Sequence, residues 1–251
     1  MSHIVDKIKE FCTVKNDGPA WMNGFSPTPR VKFIISLLED LQIPFEIQRF
    51  FVDDTPMYNI VCKGTNQKMV IAHHDVVNAK FQNANDNSAS VINAIYLKSL
   101  SPETNVVFTD AEECGFWGAK KLAEQILNGE FGKIDWVLNL ELTGKGGKNI
   151  MVGNHSGDLK NRISEKFSAP IYNTPPSDCS ALDSAGINTT VINPLALLEE
   201  GKTSDILGKH GFLDNSSWFD CHSESDSLDK ISTLDMKEFV EEILLPIVRE
   251  C

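Results

Sequence analysis

Three short apolar runs in this sequence each end in residue types that hold divalent cations. Val70-Ile71-Ala72 runs into His73-His74-Asp75, Val106-Val107-Phe108-Thr109 into Asp110, Glu112 and Glu113, and Trp136-Val137-Leu138-Asn139-Leu140 into Glu141. Asp86-Asn87 follows the first run, and His222 lies in Asp220-Cys221-His222-Ser223-Glu224-Ser225-Asp226, ahead of the last helical pattern. Imidazole nitrogens and carboxylate oxygens in one place suit a divalent metal. Each residue alone has an ordinary use. Asp86 can cap a helix, Glu112 and Glu113 can face the positive end of a helix dipole, and Glu141 and His222 can simply be solvated. These uses are independent of one another, so their recurrence at successive strand ends favours a shared site. In an open parallel sheet, ligands bind outside the carboxyl ends of the strands, where residues distant in sequence meet.

The elements that would position these groups are legible from periodicity. Ser26-Pro27-Thr28-Pro29 reads as a turn opening a helix, with Val31, Ile34, Leu38 and Leu41 at helical spacing and Pro44 ending it. Phe45 to Val52, Met57 to Cys62 and Lys68 to Ala72 read as strands, with Gly64-Thr65-Asn66 as the turn between the last two. Ser88 to Leu100 and Gly115 to Leu127 read as helices, Asn105 to Thr109 and Asp135 to Glu141 as buried strands. Leu159 to Phe167 reads as a helix and Thr189 to Asn193 as a strand. Met236, Phe239, Val240, Ile243, Leu244 and Ile247 form one stripe of a final helix, which Ser232 and Asp235 open as a capping-box pattern. Strands alternating with helices predict an α/β fold: one domain over residues 1–251, with a mostly parallel sheet covered by helices on both faces. The polar stretch from Leu198 to Ser227 reads as a functional loop or irregular cap.

Composition narrows the partners. Lys and Arg number 23 against 35 Asp and Glu, a net charge of −12, with 41% apolar residues over 251 positions. That balance excludes disorder as the main state, and without a basic run it argues against nucleic acid. It suits a cationic ligand, either a metal or an amine. No apolar run approaches the roughly 20 residues of a membrane span, and Met1 to Glu10 has no apolar signal core. Six scattered cysteines without a C-x-x-C pair read as free thiols, so a cytoplasmic location is expected. The sequence is silent on oligomeric state.

Taken in order, Ala72-His73-His74-Asp75, Asn85-Asp86-Asn87-Ser88-Ala89-Ser90 and Glu112-Glu113-Cys114-Gly115-Phe116-Trp117-Gly118-Ala119 resemble the co-catalytic di-zinc exopeptidases. The likeness is greatest to the bacterial leucyl-type aminopeptidase family, whose relatives include glutamate carboxypeptidases and glutaminyl cyclases. Leu138-Asn139-Leu140-Glu141-Leu142-Thr143-Gly144, Ser177-Asp178-Cys179 to Gly186-Ile187, and His222-Ser223-Glu224-Ser225-Asp226-Ser227 extend it from Arg30 to the last helix. The resemblance implies a zinc-exopeptidase (phosphorylase/hydrolase-like) fold and two Zn2+ ions per chain. By matching position, His73, Asp86 and Glu141 would hold one zinc, and Asp86, Glu113 and His222 the other. Glu112 would be the general base, Asp75 would orient His73 through its second ring nitrogen, and Asp178 would contact substrate. A bridging carboxylate sets two metals roughly 3.5 Å apart, where they stabilise both the attacking and the carbonyl oxygen.

Three positions depart from that pattern. Glu141 stands where the family has Asp, Ser88-Ala89-Ser90 where it has Ala-Ser-Gly, and Cys179 where it has His. In a related family, Glu at the matching ligand position accompanies carboxypeptidase or deacylase activity. With no arginine in these motifs to hold a terminal carboxylate and a net charge of −12, the expected function is nevertheless a zinc aminopeptidase acting on small peptides. The alternatives are a metallo-carboxypeptidase or N-acyl amidohydrolase on the same metals, a single-zinc glutaminyl cyclase, or a non-catalytic module of the same fold. Among minor candidates, Cys114, Cys179 and Cys221 are expected to pack as small apolar side chains, His74 to lie in the core or at the rim, and Phe116 and Trp117 to pack against the sheet. His155 and His210 are weak candidates for substrate contact, and Phe212, Trp218 and Phe219 for a pocket wall.

Overall fold

A computed structural model describes residues 3–14, 28–194 and 220–251. His210, Phe212, Trp218, Phe219 and most of the polar stretch after Leu198 lie outside the described residues, as do Ser26 and Pro27. Among the described residues, eight strands form one sheet: β1 (Glu46–Val52), β2 (Thr55–Cys62), β3 (Lys68–His73), β4 (Asn105–Thr109), β5 (Trp136–Leu140), β6 (Ile150–Gly153), β7 (Ile171–Tyr172) and β8 (Thr189–Pro194). Their spatial order is β1-β2-β4-β3-β5-β8-β6-β7. The middle, β4-β3-β5-β8, is parallel as expected. The flanks make the sheet mixed: β1–β2, β2–β4 and β6–β8 pair antiparallel, and β6–β7 is parallel. Gly64-Thr65-Asn66 therefore joins strands that do not pair. The loop instead wraps the start of β4, with the Thr65 and Asn66 N–H groups donating to Glu103 O at 2.8 and 2.9 Å. A Cβ on Gly64 would meet that same oxygen at 2.1 Å, so only glycine fits.

Alternation in the strands divides the core into two layers. Val70, Ala72, Val106, Phe108, Trp136, Leu138 and Leu140 face one cluster, shared with α1 (Ile8–Phe11), α2 (Pro29–Asp40), α3 (Ala89–Leu100), α5 (Leu159–Phe167) and the C-terminal helix, residues 233–250. Met69, Ile71, Val107 and Val137 face the other, shared with α4 (Trp117–Leu127) and α6 (Asp178–Ser184). Thr28 caps α2, its Oγ1 accepting from Val31 N–H at 3.2 Å, and Pro29 takes the first helical position, where its missing N–H costs nothing. The C-terminal helix widens over Phe239–Leu244 just before Pro246, which has no N–H to donate to the preceding turn. The periodicity reading missed β6, β7, α1 and α6, each seven residues or fewer. No helix among the described residues is long and apolar enough to cross a membrane.

Candidate metal centre

The carboxyl ends of β3, β4 and β5 lie side by side in the parallel centre of the sheet, and the residues that follow them converge. His73 ends β3, fully buried, with Nε2 at 3.2 Å from Asp86 Oδ1 and 3.5 Å from Glu141 Oε2. The second imidazole, His222, has Nε2 at 3.2 Å from Asp86 Oδ2 and 3.1 Å from Glu113 Oε2. Asp86 thus presents one oxygen to each histidine. Each histidine touches the two carboxylates that the resemblance groups with it, and Asp86 is common to both, while the tightest three-donor cluster among the described residues, His73, Asp86 and Glu113, runs across the two groups. Glu112 joins neither set but lines the same cavity.

Local backbone explains the placement. Ala111 adopts φ 61°, in the left-handed region, and turns the chain sharply after β4. The N–H groups of Glu112 and Glu113 then both donate to Asp75, at 3.1 Å to Oδ1 and 3.1 Å to Oδ2. Asp75 Oδ1 also lies 3.4 Å from His73 Nδ1, beside the ring but not hydrogen-bonded to it. One carboxylate therefore ties the end of β3 to the turn after β4, a backbone role that spacing did not reveal. Gly118 closes that turn, since a Cβ there would meet Asp110 O at 2.4 Å. Asp110 points away from the centre and accepts from Tyr58 N–H at 2.8 Å. After β5, Glu141 Oε1 accepts from Asn139 Nδ2 at 3.1 Å, so the longer arm is steered from behind toward His73.

A model of peptidase family M28 matches residues 59–245, most of the chain, including His73, Asp75, Asp86, Glu112, Glu113, Glu141 and His222. The chain belongs to peptidase family M28. Solved structures agree in fold. The LapA aminopeptidase of Legionella pneumophila superposes with a TM-score of 0.73 at 14% identity, covering 100% of this chain and 69% of that one. Glutaminyl cyclase of Porphyromonas gingivalis gives 0.70 at 14% identity, covering 99% and 97%. BSAP, a zinc aminopeptidase from Bacillus subtilis, gives 0.59 at 18% identity, covering 79% and 50%. No curated protein matches the chain in sequence.

In this M28 chain the centre opens on a cavity of about 470 Å³. His73, Asp86, Glu112, Glu113, Glu141 and His222 line one part of it, and Phe116, Leu142, Pro175, Pro176 and Val191 give it an apolar wall. Electrostatics follow from crowding buried carboxylates. Burial pushes the Glu112 carboxyl up to about 10; His73 opposes this, and Glu141, Asp178 and Asp75 add to it. Burial and the neighbouring Asp86 push Glu113 up to about 7. Burial acts the same way on Asp86, but hydrogen bonds from His222 and His73 outweigh it and hold that carboxyl well below its ordinary range. The hydrogen bond with Asp86 raises His222 to about 9, against some burial and with help from Glu113. Burial disfavours charge on His73, yet Glu141, Glu112, Asp75 and Asp86 together raise it well above its ordinary value.

These residues fit a divalent metal. His73, Asp86 and Glu113 each offer a ligand atom, all within 4.8 Å of one another. Glu113 Oε1 is buried with no hydrogen-bond partner among the described residues. Two imidazoles among so many carboxylates leave surplus negative charge that a cation would offset.

Other expected residues fall elsewhere. Asp178 is fully buried at the start of α6, where its Oδ2 accepts from Thr109 Oγ1 at 2.5 Å. It is not among the residues that line the cavity, whereas its neighbour Ser177 is. Cys179 is buried beside Thr189 Oγ1, at 3.2 Å, and faces away from the cavity. His74 is a core residue, its Nε2 2.8 Å from Tyr58 O. Phe116 lines the cavity, and Trp117, expected against the sheet, is 40% exposed beneath Lys120 Nζ.

Sequence reasoning assigned no role to Arg30, which is buried behind the centre. Its Nε donates to His74 O at 2.7 Å and its Nη2 to Ser88 Oγ at 2.9 Å, tying the loop after β3 to the turn that carries Asp86. The signal was present as a charged residue on the apolar stripe of α2, one turn before Ile34.

Proposed function

We propose that the chain is a zinc-dependent aminopeptidase removing the N-terminal residue of small peptides. The observation that carries this reading is the pair of histidines meeting at Asp86, each with a second carboxylate beside it. His73, Asp86 and Glu141 would hold one zinc, and Asp86, Glu113 and His222 a second. Metal bound there supplies polarisation of the scissile carbonyl and a more acidic water. Glu112 is the general base. It lies in the cavity outside both donor sets; burial alone favours its protonated form, and the positive charge of bound metal would lower its pKa and free it as a base. It takes the proton of the attacking water and delivers it to the leaving amine. Asp75 holds the Glu112 main chain beside the His73 ring, which keeps base and ligand in register.

The charge pattern supports a free amine at the reading end. A carboxypeptidase needs a cation for the terminal carboxylate, and no Lys or Arg stands among the described residues lining the cavity. Lys145 pairs with Asp220 at 3.3 Å, Lys148 with Glu242 at 3.2 Å, and Arg30 is spent on its two buried bonds. The apolar wall of Phe116, Leu142 and Val191 suits an uncharged side chain.

The test is a panel of aminoacyl amides and their N-acetylated forms, with metal content measured alongside. Free-amine substrates are expected to be cleaved, and acetylation to stop turnover. Chelation should abolish activity, and zinc or cobalt should restore it. Hydrolysis of N-acyl amino acids with free-amine substrates ignored would replace the aminopeptidase with an amidohydrolase on the same donors. One tight metal per chain, with cyclisation of N-terminal glutamine, would favour the cyclase reading.

A further inference from the structure

We propose that Asp226 is the positioning residue that sets His222 against Asp86; the inference deepens the two-metal reading and rests on it. Asp226 is buried, and both its oxygens are used by consecutive backbone amides of the facing loop. Oδ1 accepts from Asn85 N–H at 2.7 Å, and Oδ2 accepts from the N–H of Asp86 itself at 3.0 Å. These contacts join segments 141 residues apart. Asp226 and His222 belong to one turn, which Asp226 N–H closes by donating to Ser223 O at 3.2 Å.

His222 needs such an anchor. Its side chain is 56% exposed and its φ is 58°, so packing does not hold the ring. The outer end of the turn is pinned by Asp220, which pairs with Lys145 and with Lys230 at 2.6 Å. The inner end is pinned by Asp226. Asp86, by contrast, keeps other tethers on its own loop. Asn87 Nδ2 donates to Leu140 O at 2.9 Å, and Gly144 N–H donates to Asn85 Oδ1 at 2.7 Å. Loss of the Asp226 carboxylate therefore displaces His222 more than Asp86. An asparagine there keeps the shape but presents one NH2 to a backbone N–H, replacing a charge-assisted bond with a clash of donors.

The experiment is a zinc titration by chelator competition on the full chain, in wild type, Asp226→Asn, His222→Ala and the double variant. Amide hydrogen exchange at Asn85 and Asp86 is measured in the metal-free proteins. Asp226→Asn should weaken one zinc step by roughly 10–100-fold, the range for removing a group that orients a ligand, and leave the other step nearly unchanged. The double variant should bind no more weakly than His222→Ala alone, because the two residues act through one contact. The Asn85 and Asp86 amides should be protected in wild type and exposed in Asp226→Asn. Asp226→Glu, which keeps both acceptor oxygens, should recover part of the lost affinity. Equal weakening of both steps, additive losses in the double variant, or unprotected amides in wild type would overturn the proposal. A wild type that takes up a single zinc overturns the two-metal reading instead, and Asp226 is then judged by the same cycle on that one step and by the amides.

Discussion

The two halves of the candidate centre share Asp86 and differ in almost everything else. His73 and Glu141 emerge directly from β3 and β5, neighbours in the parallel middle of the sheet, and the His73 side chain is 1% exposed. His222 comes from a turn near the C-terminal helix and is more than half exposed. The first half is therefore preorganised by the sheet, whose register depends on many hydrogen bonds and a packed core. The second half depends on a few polar tethers at Asp220 and Asp226. Sites on strands hold their geometry more tightly than sites on loops, so metal is expected to leave the His222 half first as chelator rises.

The comparison breaks most plainly at Glu112, which belongs to neither half. Glu112→Gln should retain the zinc of both and lose about 10²–10⁴-fold in kcat, the usual contribution of proton transfer. Metal content and single-turnover kinetics on the same preparation check this. If the variant lost metal and recovered activity with excess zinc, Glu112 would be a ligand and the division into halves would be misdrawn.

Acidity separates the halves next. At pH 7 the metal-free chain carries a proton on His222, raised to about 9, and shares one on Glu113, raised to about 7. Zinc must displace both, so affinity at this half falls as pH drops and rises as pH climbs toward 9. The change is about tenfold per pH unit for each proton displaced. Calorimetry in buffers of differing ionisation enthalpy reads the protons released. An affinity independent of pH between 6 and 9 would contradict the assignment of these two residues as ligands.

The smallest effect sharpens the contrast in burial. In chelated protein, His73→Ala removes a buried partner of Asp75, Asp86 and Glu141 and should cost about 1–3 kcal/mol in urea unfolding. His222→Ala removes a more exposed ring paired with Asp86 and Glu113 and should cost less than His73→Ala. Equal costs would mean that the second half is as deeply built into the fold as the first.

Much of this chain was legible before its structure. Val70, Val106 and Leu138 with their neighbours announced buried strands, because a sheet covered on both faces excludes polar side chains along its length. The polar groups that break those runs had to sit at strand ends, which made His73, Asp110, Glu112, Glu113 and Glu141 candidates, while the roles among them were implied by the family resemblance. Short elements such as β7 and α6 escaped, because two to seven residues hold too little periodicity to register.

The sequence by itself determined the donor types, their order and the strands that deliver most of them, since apolar alternation and strand-end chemistry are local properties. Only the tertiary structure decided which groups meet and from which side. It buried Asp178 outside the lining of the cavity, turned β2 and β6 antiparallel at the flanks, drew Arg30 beneath the centre, and placed Asp226 on the backbone of Asp86. Those outcomes depend on strand order and on contacts between segments far apart in the chain. No local spacing encodes them, because the pairing of distant segments is chosen by the burial and hydrogen bonding of the whole sheet at once.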